Sequence, residues 1–264
     1  MIKLNGRIVK INKFPDGTLL LKENTTTKTS LSHIAKIDWF FESNEELVTL
    51  VFLTKHLRAH GVTNITLSMP YIPNARQDRV KNSEDVFTLK YFADIINYLN
   101  FDAVQVLDPH SSVSEALIDR IGVVSPKPCI LTAIKDCMPD MLFFPDEGAM
   151  KRYSAMFMKE YAFGVKKRDW ATGEILGLDV MGAIDKIKGS KILLVDDICS
   201  RGGTFYHSAK KLKELGAKEI YLYATHCENT ILEGDLLKGD LIDKVYTTNS
   251  IFTKEHEKIE VIEL

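Results

Sequence analysis

Residues 191–204 read KILLVDDICSRGGT. Four apolar residues, Ile192 to Val195, run into two adjacent carboxylates, Asp196 and Asp197. A short apolar run bounded by turn residues predicts a buried strand. A helix is expected over Phe205 to Leu215, opening at Thr204. Gly202 and Gly203 let backbone N–H groups face an anion with no Cβ in the way. Thr204 adds a hydroxyl and is the expected N-cap. The plain alternative is a strand end closed by a glycine turn. The spacing from VDD to GGT and on into a helix argues against it. The layout suits a phosphorylated sugar. The loop and helix N-terminus take phosphate, and the aspartates take sugar hydroxyls or a hydrated Mg²⁺.

Around this stretch lie 264 residues, enough for one large α/β domain or two of moderate size. The chain has 34 Lys+Arg against 36 Asp+Glu, so no basic field points to nucleic acid. The longest apolar runs, such as LVTLVFL at 47–53, are far shorter than a membrane span. The opening MIKLNGRIVK has no apolar signal-peptide core. Cys129, Cys137, Cys199 and Cys227 show no CxxC pairing and read as reduced thiols of a cytoplasmic protein.

Along the chain, β-like stretches at Arg7–Ile11 and Leu19–Lys22 flank the turn Phe14-Pro15-Asp16-Gly17. Helices are expected over Glu45–His60, Thr88–Leu99 and Ser114–Ile121, with strands at ITLSMPY and AVQVLDP between them. The alternation resumes after Pro126. Helix Ile130–Cys137, strand MLFFPD, helix Ala149–Tyr161 and strand FGVKK precede a β-like segment at Glu174–Val180. Strand EIYLYATH, a helical turn near 231–238 and strand KVYTTN follow the helix at 205–215. Strands alternating with helices predict βαβ units. The expectation is two similar α/β lobes, 1–125 and 126–264, with mainly parallel sheets flanked by helices. Ligands of such sheets bind beyond the strand carboxyl ends. Asp108-Pro109-His110, Asp146 and Asp196/Asp197 sit there.

A second constellation lies at 69–79, MPYIPNARQDR. Arg76, Gln77, Asp78 and Arg79 combine charge for phosphates with an amide edge for a base, which suits a nucleoside triphosphate. Alone it would more often be a solvated loop. His110 alone could cap the next helix, and Lys166-Lys167-Arg168 alone could be a solvated basic strand end. No GxxxxGK[ST] string occurs, which excludes a Walker-type site.

Together these motifs resemble the ribose-phosphate pyrophosphokinase (phosphoribosyl-pyrophosphate, PRPP, synthetase) family, in family order, as a short divergent member. Phosphoribosyltransferases share only the loop at 195–204. The resemblance implies a type I phosphoribosyltransferase-like fold. It implies transfer of the β,γ-diphosphoryl group of ATP to the anomeric hydroxyl of ribose 5-phosphate, giving PRPP and AMP. By the same resemblance Phe14 and Asp16 contact adenine from a neighbouring subunit, so a homo-oligomer of at least two chains is expected. Arg76, Gln77, Asp78 and His110 bind ATP. His110 and Asp146 hold Mg²⁺. Lys166 and Arg168 are catalytic. Asp196, Asp197, Ser200, Arg201, Gly202, Gly203 and Thr204 hold the ribose phosphate. The family commonly has Asp-Thr-Gly-Gly-Thr where this chain has Ser200-Arg201-Gly202-Gly203-Thr204. The added cation suggests an alternative acceptor with a larger 5-substituent, such as ADP-ribose. Two competing functions are a PRPP-dependent phosphoribosyltransferase and a silent regulatory subunit. Nucleic acid and membrane are not expected as partners.

Overall fold

The computed structural model describes residues 1–22, 33–168 and 175–264. The chain divides into two compact units, Met1–Ser125 and Pro126–Leu264. Among the described residues no helix is long and apolar enough to cross a membrane.

The first unit contains strands β1 (Ile2–Leu4), β2 (Arg7–Ile8), β3 (Ile11–Lys13), β4 (Leu19–Leu21) and β5 (Ile34–Trp39), then helix α1 (Glu45–Ala59). Strand β6 (Asn64–Ser68), helix α2 (Thr88–Tyr98), strand β7 (Ala103–Leu107), helix α3 (Ser112–Leu117) and strand β8 (Ile121–Val124) follow. The sheet order is β2-β1-β5-β6-β7-β8, parallel from β5 to β8 and antiparallel at β1 and β2. β3 and β4 form a separate hairpin. Strand β5 alternates, burying Ala35, Ile37 and Trp39, and these meet Leu50, Leu53 and Leu57 of α1 in one core.

The second unit contains helix α4 (Lys127–Cys137), strand β9 (Met141–Phe144), helix α5 (Glu147–Tyr153) and the hairpin β10 (Tyr161–Arg168) and β11 (Ile175–Gly182). Strand β12 (Lys191–Cys199), helix α6 (Gly203–Glu214), β13 (Glu219–Cys227), β14 (Lys244–Thr248) and β15 (Ile259–Ile262) complete it. The sheet order is β11-β10-β9-β12-β13-β14-β15, parallel except for the β10–β11 pair. Both faces are covered, which explains the unbroken apolar run of β12. Ile192 and Leu194 pack with Ala209 and Leu212 of α6. Leu193 and Val195 face Ile130 and Ala133 of α4 and Tyr153 of α5.

Both sheets are mainly parallel, as expected, but several boundaries differ. Helix α3 stops at Leu117, and the chain re-enters the sheet as β8 at Ile121 instead of staying helical. Asn97 of α2 forces this end, donating to the Leu117 carbonyl and accepting from the Asp119 N–H. Helix α5 stops at Tyr153 and a 3-10 turn ends at Met156, so Tyr161 opens a strand. The helical turn expected near 231–238 is a 3-10 turn at Asn229–Glu233. Strands β1, β5 and β15 go beyond the sequence expectations.

Candidate active site

In the second unit the chain leaves β9 toward β10 on one side, returns at β12, and continues to β13 on the other. β9 and β12 therefore flank a topological switch point, where parallel sheets open a crevice beyond their carboxyl ends. Asp146 follows β9, and Asp196 and Asp197 lie near the end of β12.

Asp146 caps α5, its Oδ1 accepting the Ala149 N–H at 3.0 Å. Asp197 is buried; its Oδ1 accepts the Ile198 N–H and its Oδ2 receives Arg152 Nη1 at 2.9 Å. Asp196 Oδ1 accepts the Asp197 N–H. Burial pushes the Asp196 carboxyl well above the usual carboxylate range, and the charges of Asp197 and Asp146 push it further. The two adjacent acids are thus inequivalent, and Arg152 is a partner that no sequence pattern singled out.

The loop that follows is built by glycines. Gly202 has φ 80° and caps α6, and a Cβ there would fall 2.7 Å from Leu236 Cδ2. Helix α6 therefore begins at Gly203, and Thr204 is its second residue, not the N-cap. The N–H groups of Gly203, Thr204 and Phe205 have no helical acceptor, since Tyr206 makes the first such bond, to Gly202 O. These orphan donors and the helix dipole form a cradle for an anion. Gly234 closes from the far side, where a Cβ would sit 1.9 Å from the Arg201 carbonyl oxygen. The Arg201 guanidinium turns outward to Glu233 at 3.0 Å.

Behind this tip lies a buried polar network also missed by sequence reasoning. His226 aligns with Ile198 across the β12–β13 ladder, and its Nδ1 meets Ser250 Oγ at 2.8 Å. Thr248 Oγ1 donates to the Thr225 carbonyl at 2.6 Å, tying the ends of β13 and β14 together.

In the first unit, the 71–79 loop leaves β6 and the Asp108–His110 turn leaves β7. Tyr71, Ile72 and Ala75 are buried and anchor the loop, while Arg76 and Gln77 are exposed. Arg76 and Gln77 line a pocket of about 250 Å³ with Phe41, Asn44, Tyr71, Pro73 and Asn74. Asp78 is buried and takes both forks of Arg79, Nε to Oδ1 at 2.7 Å and Nη2 to Oδ2 at 2.8 Å. That pairing, with smaller help from Ser111 and His110, holds the Asp78 carboxyl down to about 2. Asp78 therefore joins the arginine loop to the histidine turn. Phe14 and Asp16 sit on the β3–β4 hairpin turn, Phe14 half exposed and Asp16 accepting from Thr18 N–H and Oγ1. Lys166 and Arg168 lie in β10, their side chains outside the described residues.

Comparison with known proteins agrees with this geometry. Residues 3–99 match the profile of the N-terminal domain of ribose phosphate pyrophosphokinase, and residues 176–264 match the phosphoribosyl synthetase-associated domain. The ribose-phosphate pyrophosphokinase of Thermococcus kodakarensis is 30% identical over 254 residues, covering 93% of this chain and 86% of that protein. The chain belongs to the ribose-phosphate pyrophosphokinase family. The Pyrococcus abyssi pyrophosphokinase is 29% identical over 262 residues, covering 97% of this chain and 88% of its own. The phosphoribosylpyrophosphate synthetase of Mycobacterium smegmatis shares the fold, with TM-score 0.77 at 20% identity over 97% of this chain and 86% of that one.

As a pyrophosphokinase family member, the chain is expected to engage a divalent cation. Among the described residues, no group of three or more His, Cys, Asp or Glu side chains is arranged to hold a metal. Mg²⁺ fits such a sparse site, because it keeps several waters and takes one or two carboxylates plus substrate phosphates. Asp146, just past the end of β9, is a carboxylate of the type such a site uses.

Proposed function

We propose that this protein makes PRPP and AMP from ATP and ribose 5-phosphate. Family membership supports the reaction, and the observation that carries the acceptor side is the β12–α6 junction. There an acidic pair, its Asp197 buried, precedes a glycine-built anion cradle on a helix N-terminus. The 5-phosphate sits on the N–H groups of residues 203–205, with Ser200 and Thr204 hydroxyls beside it. The Asp196–Asp197 tip of β12 stands on the ribose side.

The nucleotide is assigned to the first unit. Arg76 and Gln77 line an aromatic-walled pocket of about 250 Å³, whose cation and amide suit a purine and its phosphates. His110 stands on the neighbouring turn. The half-exposed Phe14 and the adjacent Asp16 are offered to the adenine of a second copy, which makes a homo-oligomer part of this reading.

In the reaction the anomeric oxygen bonds to the β-phosphorus while the bond from that phosphorus to the α,β-bridging oxygen breaks and AMP leaves. Little covalent work falls to the protein, so positioning and charge neutralisation dominate. Lys166 and Arg168 stabilise charge on the transferring group. Asp146 and, on the nucleotide side, His110 would hold Mg²⁺, which would supply neutralisation of the phosphate charge. A cytoplasmic location accords with the metabolites used.

The relatives are ribose-phosphate pyrophosphokinases by name, which favours ribose 5-phosphate over ADP-ribose and over base-dependent transferase chemistry. The cation that suggested a larger acceptor, Arg201, is paired with Glu233. Incubation with ATP, Mg²⁺ and ribose 5-phosphate tests the reading. AMP and a C1-pyrophosphorylated ribose should appear in equal amounts. Release of ADP, or no AMP, would end this assignment.

A further inference from the structure

The two adjacent acids at the tip of β12 are held in different ways, and the difference comes from α5. Arg152 lies six residues beyond Asp146, on the last turn of that helix, with its guanidinium also over the Tyr153 ring at 5.7 Å. Its Nη1 reaches Asp197 Oδ2 at 2.9 Å, and Asp197 Oδ1 is already engaged by the Ile198 N–H. Both oxygens of Asp197 therefore have partners inside the protein. Asp196 has no cation paired with it among the described residues and is engaged at Oδ1 by the Asp197 N–H.

We propose that Arg152 is a positioning residue that fixes the Asp197 carboxylate by an ion pair, leaving Asp196 as the acid that takes the ribose hydroxyls. This rests on the reading of the β12–α6 junction as the ribose-phosphate site. The physical need is clear. Asp146 beyond β9 and Asp196 and Asp197 near the end of β12 lie within reach of one another's charge, and three carboxylates in a partly buried place repel one another. A phosphate arriving beside them adds further negative charge. One guanidinium placed on the buried acid lowers that repulsion without occupying the sugar side.

The groups near the pair are Asp146, at the entry to α5, and Arg152, on that helix. Removing Arg152 leaves the buried Asp197 carboxylate uncompensated beside the other two acids.

Equilibrium binding of ribose 5-phosphate, measured by calorimetry, tests this apart from turnover. Arg152→Gln should weaken binding about tenfold. Arg152→Lys should restore most of it, and the KM for ATP should not change. In an Asp197→Asn background, Arg152→Gln should add little further loss, since its partner's charge is gone. Unchanged binding in Arg152→Gln, or an equal loss in the Asp197→Asn background, would overturn the proposal. If Arg152→Gln does not fold, the Arg152→Lys affinity and the double variant decide alone. Failure of the wild-type chain to bind ribose 5-phosphate at all would instead overturn the site reading.

Discussion

Arg201 Nη2 lies 3.0 Å from Glu233 Oε2, on the outer side of the loop that precedes α6. The sequence places an extra cation in the phosphate loop, and the fold hands it to a carboxylate 32 residues later. Both side chains are mostly exposed, so the pair is worth under about 1 kcal/mol. Arg201→Thr should leave thermal stability nearly unchanged. Ribose 5-phosphate should remain the faster acceptor than ADP-ribose in both proteins, read by AMP release. A gain for ADP-ribose in the wild type over the variant would show that Arg201 reaches the substrate.

Gly234 tests the loop from outside the site. Its missing Cβ makes room for the Arg201 carbonyl, which would be only 1.9 Å away. Gly234→Ala must displace one backbone or the other, at about 1–3 kcal/mol. The KM for ribose 5-phosphate should rise at least about tenfold, while that for ATP stays within about twofold. Steady-state kinetics with each substrate varied would check the split.

Asp78 links stability to pH. Its folded carboxyl is held down to about 2 by Arg79, against 3.8 ordinarily. A depressed carboxylate contributes stability above its unfolded pKa and loses it as pH falls through the folded value. With Arg79 largely exposed, the contribution is about 1–2 kcal/mol. Asp78→Asn should therefore unfold at lower urea than the wild type at pH 7. The gap should close between about pH 4 and pH 2. Urea titrations across that range provide the measurement.

The thiols should be unevenly reactive. Cys137, Cys199 and Cys227 are buried, and Cys129 is partly exposed. Burial pushes the Cys137 thiol up to about 12, and the Cys227 contact together with burial pushes Cys199 up as well. Thiolate is the reactive form. Ellman's reagent should label Cys129 quickly in the native protein and all four thiols only in denaturant.

Much of the fold was legible in local pattern. The run Ile192–Val195 reads as a strand because both of its faces are covered by helices, which removes any polar alternation. Helix α1 shows its apolar stripe at Leu50, Leu53 and Leu57. Strand β5 is harder to see, because Lys36 and Asp38 break its apolar residues apart and only the sheet shows which face they leave buried. The early stop of α3 was not legible, because Asn97 lies 20 residues upstream of the carbonyl it captures. Nor was the N-cap of α6. Thr204 has the right chemistry, but the chain turns two residues earlier, where only glycine takes φ 80° against Leu236.

By itself the sequence determined which chemistry is present: paired acids, a glycine turn, an arginine loop and a histidine turn, each at the end of an apolar run. Those properties are local, since periodicity and turn residues act over a few positions. Only the tertiary structure decided which charges answer one another. Arg152 meets Asp197 across 45 residues, Glu233 takes Arg201, and Asp78 commits its charge to Arg79. Ion pairing depends on distance in space and on the water excluded around it, and neither is written in the order of the chain.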